Sequence, residues 1–247
     1  MSAQSAFADV AREDGRAALV TAVSGPHAGA RLLVRADGGQ EGSLGDAELE
    51  EGAVAGANEL MWEERSELRG DLFIDVTAPS PRLLIFGAVE YANHLAHLAR
   101  VTGWQPYVID PRGQFATRER FPDAVEVVVS WPGAAFERLG GIDKATYLAV
   151  LTHDPKIDDE VLTLALSGEP AYIGAMGSKR AQAERRERLL ARGVDEEDLA
   201  RISAPVGLDL GATSAEEVAL SIMAELVAVR YGRDAGRLSQ RAAGKIH

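Results

Sequence analysis

Cysteine is absent from the chain, which removes disulfides, thiolate zinc sites, iron–sulfur clusters and any cysteine nucleophile in one step. Positive charge is scarce: 26 Lys and Arg stand against 38 Asp and Glu, a formal net charge of −12. A surface this acidic repels a polyphosphate backbone, so no nucleic-acid partner is expected. No apolar stretch approaches the ~20 residues that cross a bilayer, so no membrane span is expected. The start, Met1 to Asp14, is polar and acidic and lacks the basic-then-apolar pattern of a secretory leader. A cytoplasmic location is therefore the expectation. What is present is ordinary for a folded chain, with 46% hydrophobic and 26% charged residues over 247 positions. That length suits one large domain or two modest ones.

The first eighty residues or so read as a compact α+β unit. A short helix is expected from about Ala3 to Arg16, then strands over Ala18 to Val23 and Ala30 to Val34, the second ending on the hairpin signal Asp37-Gly38-Gly39. Asp46 to Arg65 has helical apolar spacing (Leu49, Ala53, Ala57, Leu60, Met61), and Asp71 to Val76 reads as a further strand. Ala78-Pro79-Ser80-Pro81 is a stiff hinge, so the expected first domain covers 1–78.

After the hinge the pattern changes. Leu83-Leu84-Ile85-Phe86 is a continuous apolar run of the kind buried on both faces of a sheet. Further strands are expected at Tyr107 to Asp110, Val125 to Val129, Tyr147 to Leu151 and Ala171 to Ile173, each followed by helix-like or loop sequence. Alternation of this kind predicts a parallel sheet with helices on both faces, a Rossmann-type domain over 82–231. Its last helix, Ser214 to about Tyr231, opens on a Ser214/Glu217 capping box. The tail, 232–247, shows no periodicity and is expected to be loose.

Candidate chemistry gathers where strands end. Gly87 follows the first buried strand, and Asp110 ends the next strand 23 residues later, the places where dinucleotide folds turn tightly and hold ribose. The fingerprint then fails: Val89 stands where a second glycine would admit pyrophosphate, and Glu90 adds negative charge beside it. NAD(P) is accordingly expected not to be the ligand. A second candidate is Gly174-Ala175-Met176-Gly177-Ser178-Lys179-Arg180, which opens a helix running to about Arg192. Residues 179–192 hold six cations and two anions. Lys179 and Arg180 oppose the helix dipole in the first turn, a conflict that a bound phosphate would remove. The competing reading is a solvated helix face with Glu184 and Glu187 as partners. His153 and Asp154 follow the fourth parallel strand, at the mouth of an open α/β sheet. His153 there can serve a ligand or simply cap the next helix beside Pro155. Glu225, near the apolar stripe of the last helix, needs either a partner within the chain or a dimer contact. No metal ligand set is visible.

Several of these stretches resemble the XdhC/CoxI family. In the first domain they are Val20-Thr21-Ala22-Val23, Gly29 to Val34 with Asp37-Gly38, and Gly42-Ser43-Leu44-Gly45. In the second they are Val108-Ile109-Asp110-Pro111-Arg112, Leu151-Thr152-His153-Asp154, Tyr172-Ile173-Gly174 with Gly177-Ser178-Lys179-Arg180, Pro205 to Gly211 and Ser221 to Glu225. The resemblance implies a maturation factor for molybdenum hydroxylases such as xanthine dehydrogenase or carbon monoxide dehydrogenase. Such a factor would hold the molybdopterin cofactor as cargo, support its sulfuration and pass it to the apo-enzyme. The implied cofactor-binding residues are Gly87, Asp110, His153, Asp154, Gly174, Gly177, Ser178, Lys179 and Arg180. Where many members carry a cysteine, this chain has Asp46-Ala47, so sulfur would have to come from a partner's thiol, a cysteine desulfurase being the candidate. The Gly87 to Glu90 loop also departs from the family's glycine-containing loop.

The reading that follows is a cofactor-insertion chaperone, expected to be a cytoplasmic homodimer and non-catalytic, with turnover left open. Its rivals are an NAD(P)-dependent oxidoreductase using His153 and Asp110, and a nucleotide-sensing regulatory module.

Overall fold

A computed structural model describes residues 2–240. The chain divides after Ser80 into two compact units. In the first, β1 (Ala17–Ala22), β2 (Arg31–Arg35), β3 (Gln40–Ser43), β4 (Glu67–Arg69) and β5 (Leu72–Thr77) form an antiparallel sheet in the order β3-β2-β1-β5-β4. Side chains alternate across it, as the two-residue period of a strand requires. Ala18, Val20, Leu32, Val34 and Ile74 pack on one face with α2 (Ala47–Glu63), while Ala17, Leu19 and Leu33 pack on the other with α1 (Ala3–Arg12). The expected hairpin joins β2 to β3 through Gly38, whose φ is +86°. β3 itself, Gln40-Glu41-Gly42-Ser43, is an edge strand without an apolar side chain, which is why apolar patterning does not reveal it.

α1 stops at Arg12 rather than near Arg16, because Asp14 takes a left-handed φ of +54° and reverses the chain. Arg16 then turns inward, its side chain only 7% exposed. Its guanidinium donates to the Met61 carbonyl and to Glu64 (3.0 Å), and lies over the Trp62 ring. The carbonyls of a helix's last turn have no partner within the helix and carry its negative dipole end, so this arginine serves as the C-terminal cap of α2.

The second unit is a six-stranded parallel sheet of β6 (Arg82–Phe86), β7 (Gln105–Ile109), β8 (Glu126–Val128), β9 (Thr146–Val150), β10 (Tyr172–Ala175) and β11 (Ile202–Ser203), ordered β11-β10-β9-β6-β7-β8. The chain runs outward one way from β6 and then the other way from β9, so the switch point lies between these two strands. Leu83, Ile85, Val108, Ala149 and Leu151 face α3 (Glu90–Val101) and α8 (Ala215–Arg230). Leu84, Phe86, Ile109, Leu148, Val150 and Ile173 face α4 (Pro132–Arg138), α5 (Pro155–Leu166) and α6 (Lys179–Ala191). A short α7 (Glu196–Leu199) precedes β11. α4 and α5 each begin with proline, whose missing N–H costs nothing at a helix start. The expected Ser214/Glu217 capping box is present at α8. Of the tail expected to be loose, 232–240 is exposed and closes in a single 3-10 turn, Leu238–Gln240; 241–247 lie outside the described residues.

Among the described residues no helix is long and apolar enough to cross a membrane. Replacing Arg16 by alanine removes its bonds to Glu64 and to the Met61 carbonyl. It should destabilise the first unit by about 3–5 kcal/mol, the usual loss when one member of a buried pair is removed, read as a lower urea midpoint.

Candidate functional site

The sheet places the ends of β6, β7 and β9 in line, with Phe86 opposite both Ile109 and Val150. Gly87, Asp110 and the Thr152-His153-Asp154 segment therefore meet at the carboxyl edge, beside the switch point. Gly87 has a φ of +114°, and a Cβ there would lie 2.8 Å from the Thr152 backbone nitrogen. The glycine is needed for the β6 and β9 loops to pass each other, a requirement that does not depend on any nucleotide.

Asp110 has no exposed surface. Its Oδ1 accepts from the Arg112 backbone N–H and Nε, both at 2.9 Å; its Oδ2 accepts from the Ala88 N–H at 2.9 Å and from Arg112 Nη2 at 2.7 Å. A carboxylate offers about four acceptor positions, and all are filled within the chain. Burial works to raise the pKa of this carboxyl, but the Arg112 guanidinium and the two backbone donors outweigh it and hold the group below its ordinary value. Through these bonds Asp110 ties the β6–α3 turn to the end of β7. Val89 is the N-cap of α3 without a side-chain capping bond, and Glu90 is the first helical residue.

His153 is exposed at this edge. Asp154 is the N-cap of α5, accepting from the Lys156 N–H at 3.0 Å, and its charge reaches Arg112.

The second candidate lies one strand further out. Gly174 is not part of the turn that opens α6; it sits inside β10, where a Cβ would fall 2.5 Å from Val206 and 2.6 Å from the Tyr172 ring. Close packing accounts for this glycine. The turn proper is Met176-Gly177-Ser178, with Gly177 at φ +142° and Ser178 capping the helix through its hydroxyl to the Ala181 N–H. Lys179 and Arg180 are both exposed, and Arg180 pairs with Glu184 at 2.8 Å.

Three cations of this stretch, Arg185, Arg188 and Arg192, are directed at a pair of acids that sequence reasoning missed. Arg188 forms a two-pronged bond with Asp159 (2.8 and 3.0 Å), and Arg192 approaches the same carboxylate at 3.9 Å. Arg185 meets Asp158 at 3.2 Å through Nη2, which also donates to the Met176 carbonyl at 2.7 Å. Both side chains of this pair are nearly sealed, 6% and 5% exposed. Burial pushes the Asp158 carboxyl up to about 6, with Arg185 pulling against the shift. Among the described residues, three buried side-chain polar atoms lack a protein partner: Asp158 Oδ1, Arg185 Nε and Arg185 Nη1. The available signal was positional. Asp158 falls in register with Val161, Leu162 and Ala165, and Arg185 with Leu189, so each charge interrupts an apolar stripe.

Glu225, for which a dimer contact was one expectation, finds its partners in its own chain. Its carboxylate accepts from the Tyr172 hydroxyl at 2.6 Å and from the Gly207 N–H, while Ser221 Oγ donates to the Leu208 carbonyl.

An antiparallel unit followed by a Rossmann-type sheet with its polar groups gathered at the carboxyl edge defines the class of protein. The chain belongs to the XdhC and CoxI family: residues 10–70 match the XdhC and CoxI family model, and 83–226 match the XdhC Rossmann domain. It is 32% identical over 160 residues (65% of the chain) to a probable xanthine dehydrogenase subunit from Bacillus subtilis. It is also 32% identical over 156 residues (63% of the chain) to the molybdenum cofactor insertion chaperone PaoD of Escherichia coli. These matches cover 46% and 42% of the two relatives, so the chain spans less than half the length of either. A crystal structure described as a xanthine dehydrogenase of Bacillus halodurans is similar with a TM-score of 0.65 at 27% identity, covering 90% of this chain and 64% of that one.

Two substitutions test the assignments at the switch point. Gly87→Ala should cost on the order of 1–3 kcal/mol through strained backbone and the Thr152 clash, seen as a lower melting temperature. Asp110→Asn should also lower it at neutral pH. Because the folded pKa of Asp110 is depressed, its contribution is present above the ordinary carboxylate pKa and disappears as pH falls through the folded value. The gap between wild type and Asp110→Asn should therefore close on acidification.

Proposed function

We propose that this chain binds a phosphate-bearing molybdopterin-type cofactor as cargo and delivers it to an apo molybdenum hydroxylase, without turnover of its own. The observation that carries this reading is the match to a relative named as a molybdenum cofactor insertion chaperone, over a segment as long as the whole second unit's core. The geometry is compatible with it. The turn Met176-Gly177-Ser178 presents the first N–H groups of α6, and the positive end of the helix, to an anion. In this reading Gly177 and Ser178 receive the phosphate, and Lys179 and Arg180 add positive field around it. His153 and Asp154, at the mouth of the sheet, contact the rest of the ligand. Gly87, Asp110 and Gly174 shape that edge without touching the cargo.

The absence of cysteine assigns sulfuration to an outside thiol, for which a cysteine desulfurase in the cytoplasm is the proposed source. A pyridine-nucleotide oxidoreductase is disfavoured by Val89 and Glu90 at the start of α3 and by the filled acceptors of Asp110.

Protein purified from cells that synthesise the cofactor, then denatured and oxidised, should release a fluorescent pterin in near-stoichiometric amount. Absence of pterin, together with micromolar or tighter calorimetric binding of NAD(H) or NADP(H), would overturn the proposal in favour of the oxidoreductase.

A further inference from the structure

The orphaned atoms beneath the β10–α6 turn have a definite chemical pattern. Two donors, Arg185 Nε and Nη1, and one acceptor, Asp158 Oδ1, lie on side chains that already share one bond. The neighbouring charges do not complete the set, since Asp159 is taken by Arg188 and Arg192. Arg185 reaches the turn because helical side chains lean toward the N-terminus, where its Nη2 holds the Met176 carbonyl. Gly177 lets the backbone of the turn approach this group closely: a Cβ there would stand 3.3 Å from the Ala181 Cβ and 3.6 and 3.8 Å from Arg185 Nη2 and Nη1. A helix start thus lies directly above a buried guanidinium with hydrogen-bonding capacity to spare.

We propose that this turn takes an oxyanion that carries a proton when bound, hydrogen phosphate or a phosphate monoester that has taken up a proton to become the monoanion, with Arg185 donating to its oxygens and Asp158 accepting its P–O–H. The inference rests on the reading above only in placing a phosphate at this turn. It deepens that reading in two respects. The resident cation is Arg185 rather than the exposed Lys179 or Arg180. The group recognised is a terminal phosphate rather than a diester, which has no P–O–H to give. Sulfate, which is fully deprotonated near neutral pH, would face Asp158 Oδ1 with a lone pair against a lone pair. A site whose buried acceptor is left unpaired rejects such an analogue, as a lost or repelled buried hydrogen bond dictates.

The test is calorimetric titration of the whole protein with sodium phosphate and, separately, sodium sulfate, slightly above neutral pH so that Asp158 is ionised. Phosphate should bind at least about tenfold more tightly than sulfate, the factor that roughly one buried hydrogen bond supplies. Asp158→Asn, whose amide can donate, should erase the preference by admitting sulfate. Arg185→Lys should weaken phosphate by about tenfold or more, since one ammonium cannot replace the guanidinium fork, a larger loss than Lys179→Ala with Arg180→Ala should give. Circular dichroism reports whether each variant folds; should Arg185→Lys or Asp158→Asn unfold, the wild-type preference for phosphate decides alone. Equal binding of the two anions, binding of neither, or loss of phosphate on removing Lys179 and Arg180 but not on changing Arg185 would each overturn the proposal. The two readings fail separately. Protein without pterin that still prefers phosphate sinks the cargo role alone, and pterin-bearing protein indifferent between the anions sinks only this inference.

Discussion

A parallel sheet covered on both faces leaves its polar chemistry nowhere to go but its ends. In the second unit the strands from Leu83 to Ile173 alternate between two apolar layers, and unpaired polar groups inside either layer would be costly. The buried carboxylates are accordingly found at or just beyond the carboxyl edge. Asp110 closes β7, and Asp158 and Asp159 lie in the opening turns of α5. Each has an arginine as its partner, and each pair holds a loop or helix start in place. The shape of the candidate site is thus a by-product of how the sheet is enclosed.

Two of these three arginine–carboxylate pairs differ in a way that bears on function. Asp110 and Arg112 form a closed set in which every carboxylate position is used. Asp158 and Arg185 share a single bond and leave three atoms over. A saturated pair of this kind stiffens the turn it sits under. An unsaturated one keeps hydrogen-bonding capacity in a place where water is largely excluded, and where any partner gained counts for more than on the surface.

Much of this architecture was legible in the residues. Apolar runs such as Leu83 to Phe86 and Tyr147 to Leu151 identify strands buried on both faces, and the Ser214/Glu217 box marks the start of α8. Elements without a burial signature escaped: the polar edge strand β3, and the two residues of β11. The candidate site was half legible. Loop positions followed from the order of strands and helices, so Gly87, Asp110, His153 and Ser178 were found. Their partners were not, because pairing across the fold between Asp158 and Arg185, or between Glu225 and Tyr172, leaves no local spacing to read. Gly174 shows the same limit from the other side: a glycine before a helix resembles a phosphate turn whether its missing side chain makes room for a ligand or for Val206.

The packing of α3 against α8 along one face of the sheet has a consequence for the order of assembly. Roughly a hundred residues of chain separate these helices, yet each is the other's main apolar neighbour there, and Tyr172 and Gly207 are stitched to α8 by Glu225. Closing so long a loop is entropically expensive before its contacts exist to offset it, which makes such topologies slow to form. On a ribosome the first strands would emerge with their α8-facing layer uncovered until the chain beyond residue 215 had been made. That interval is when the second unit is most exposed to aggregation, and when the nascent chain would itself have most need of a chaperone.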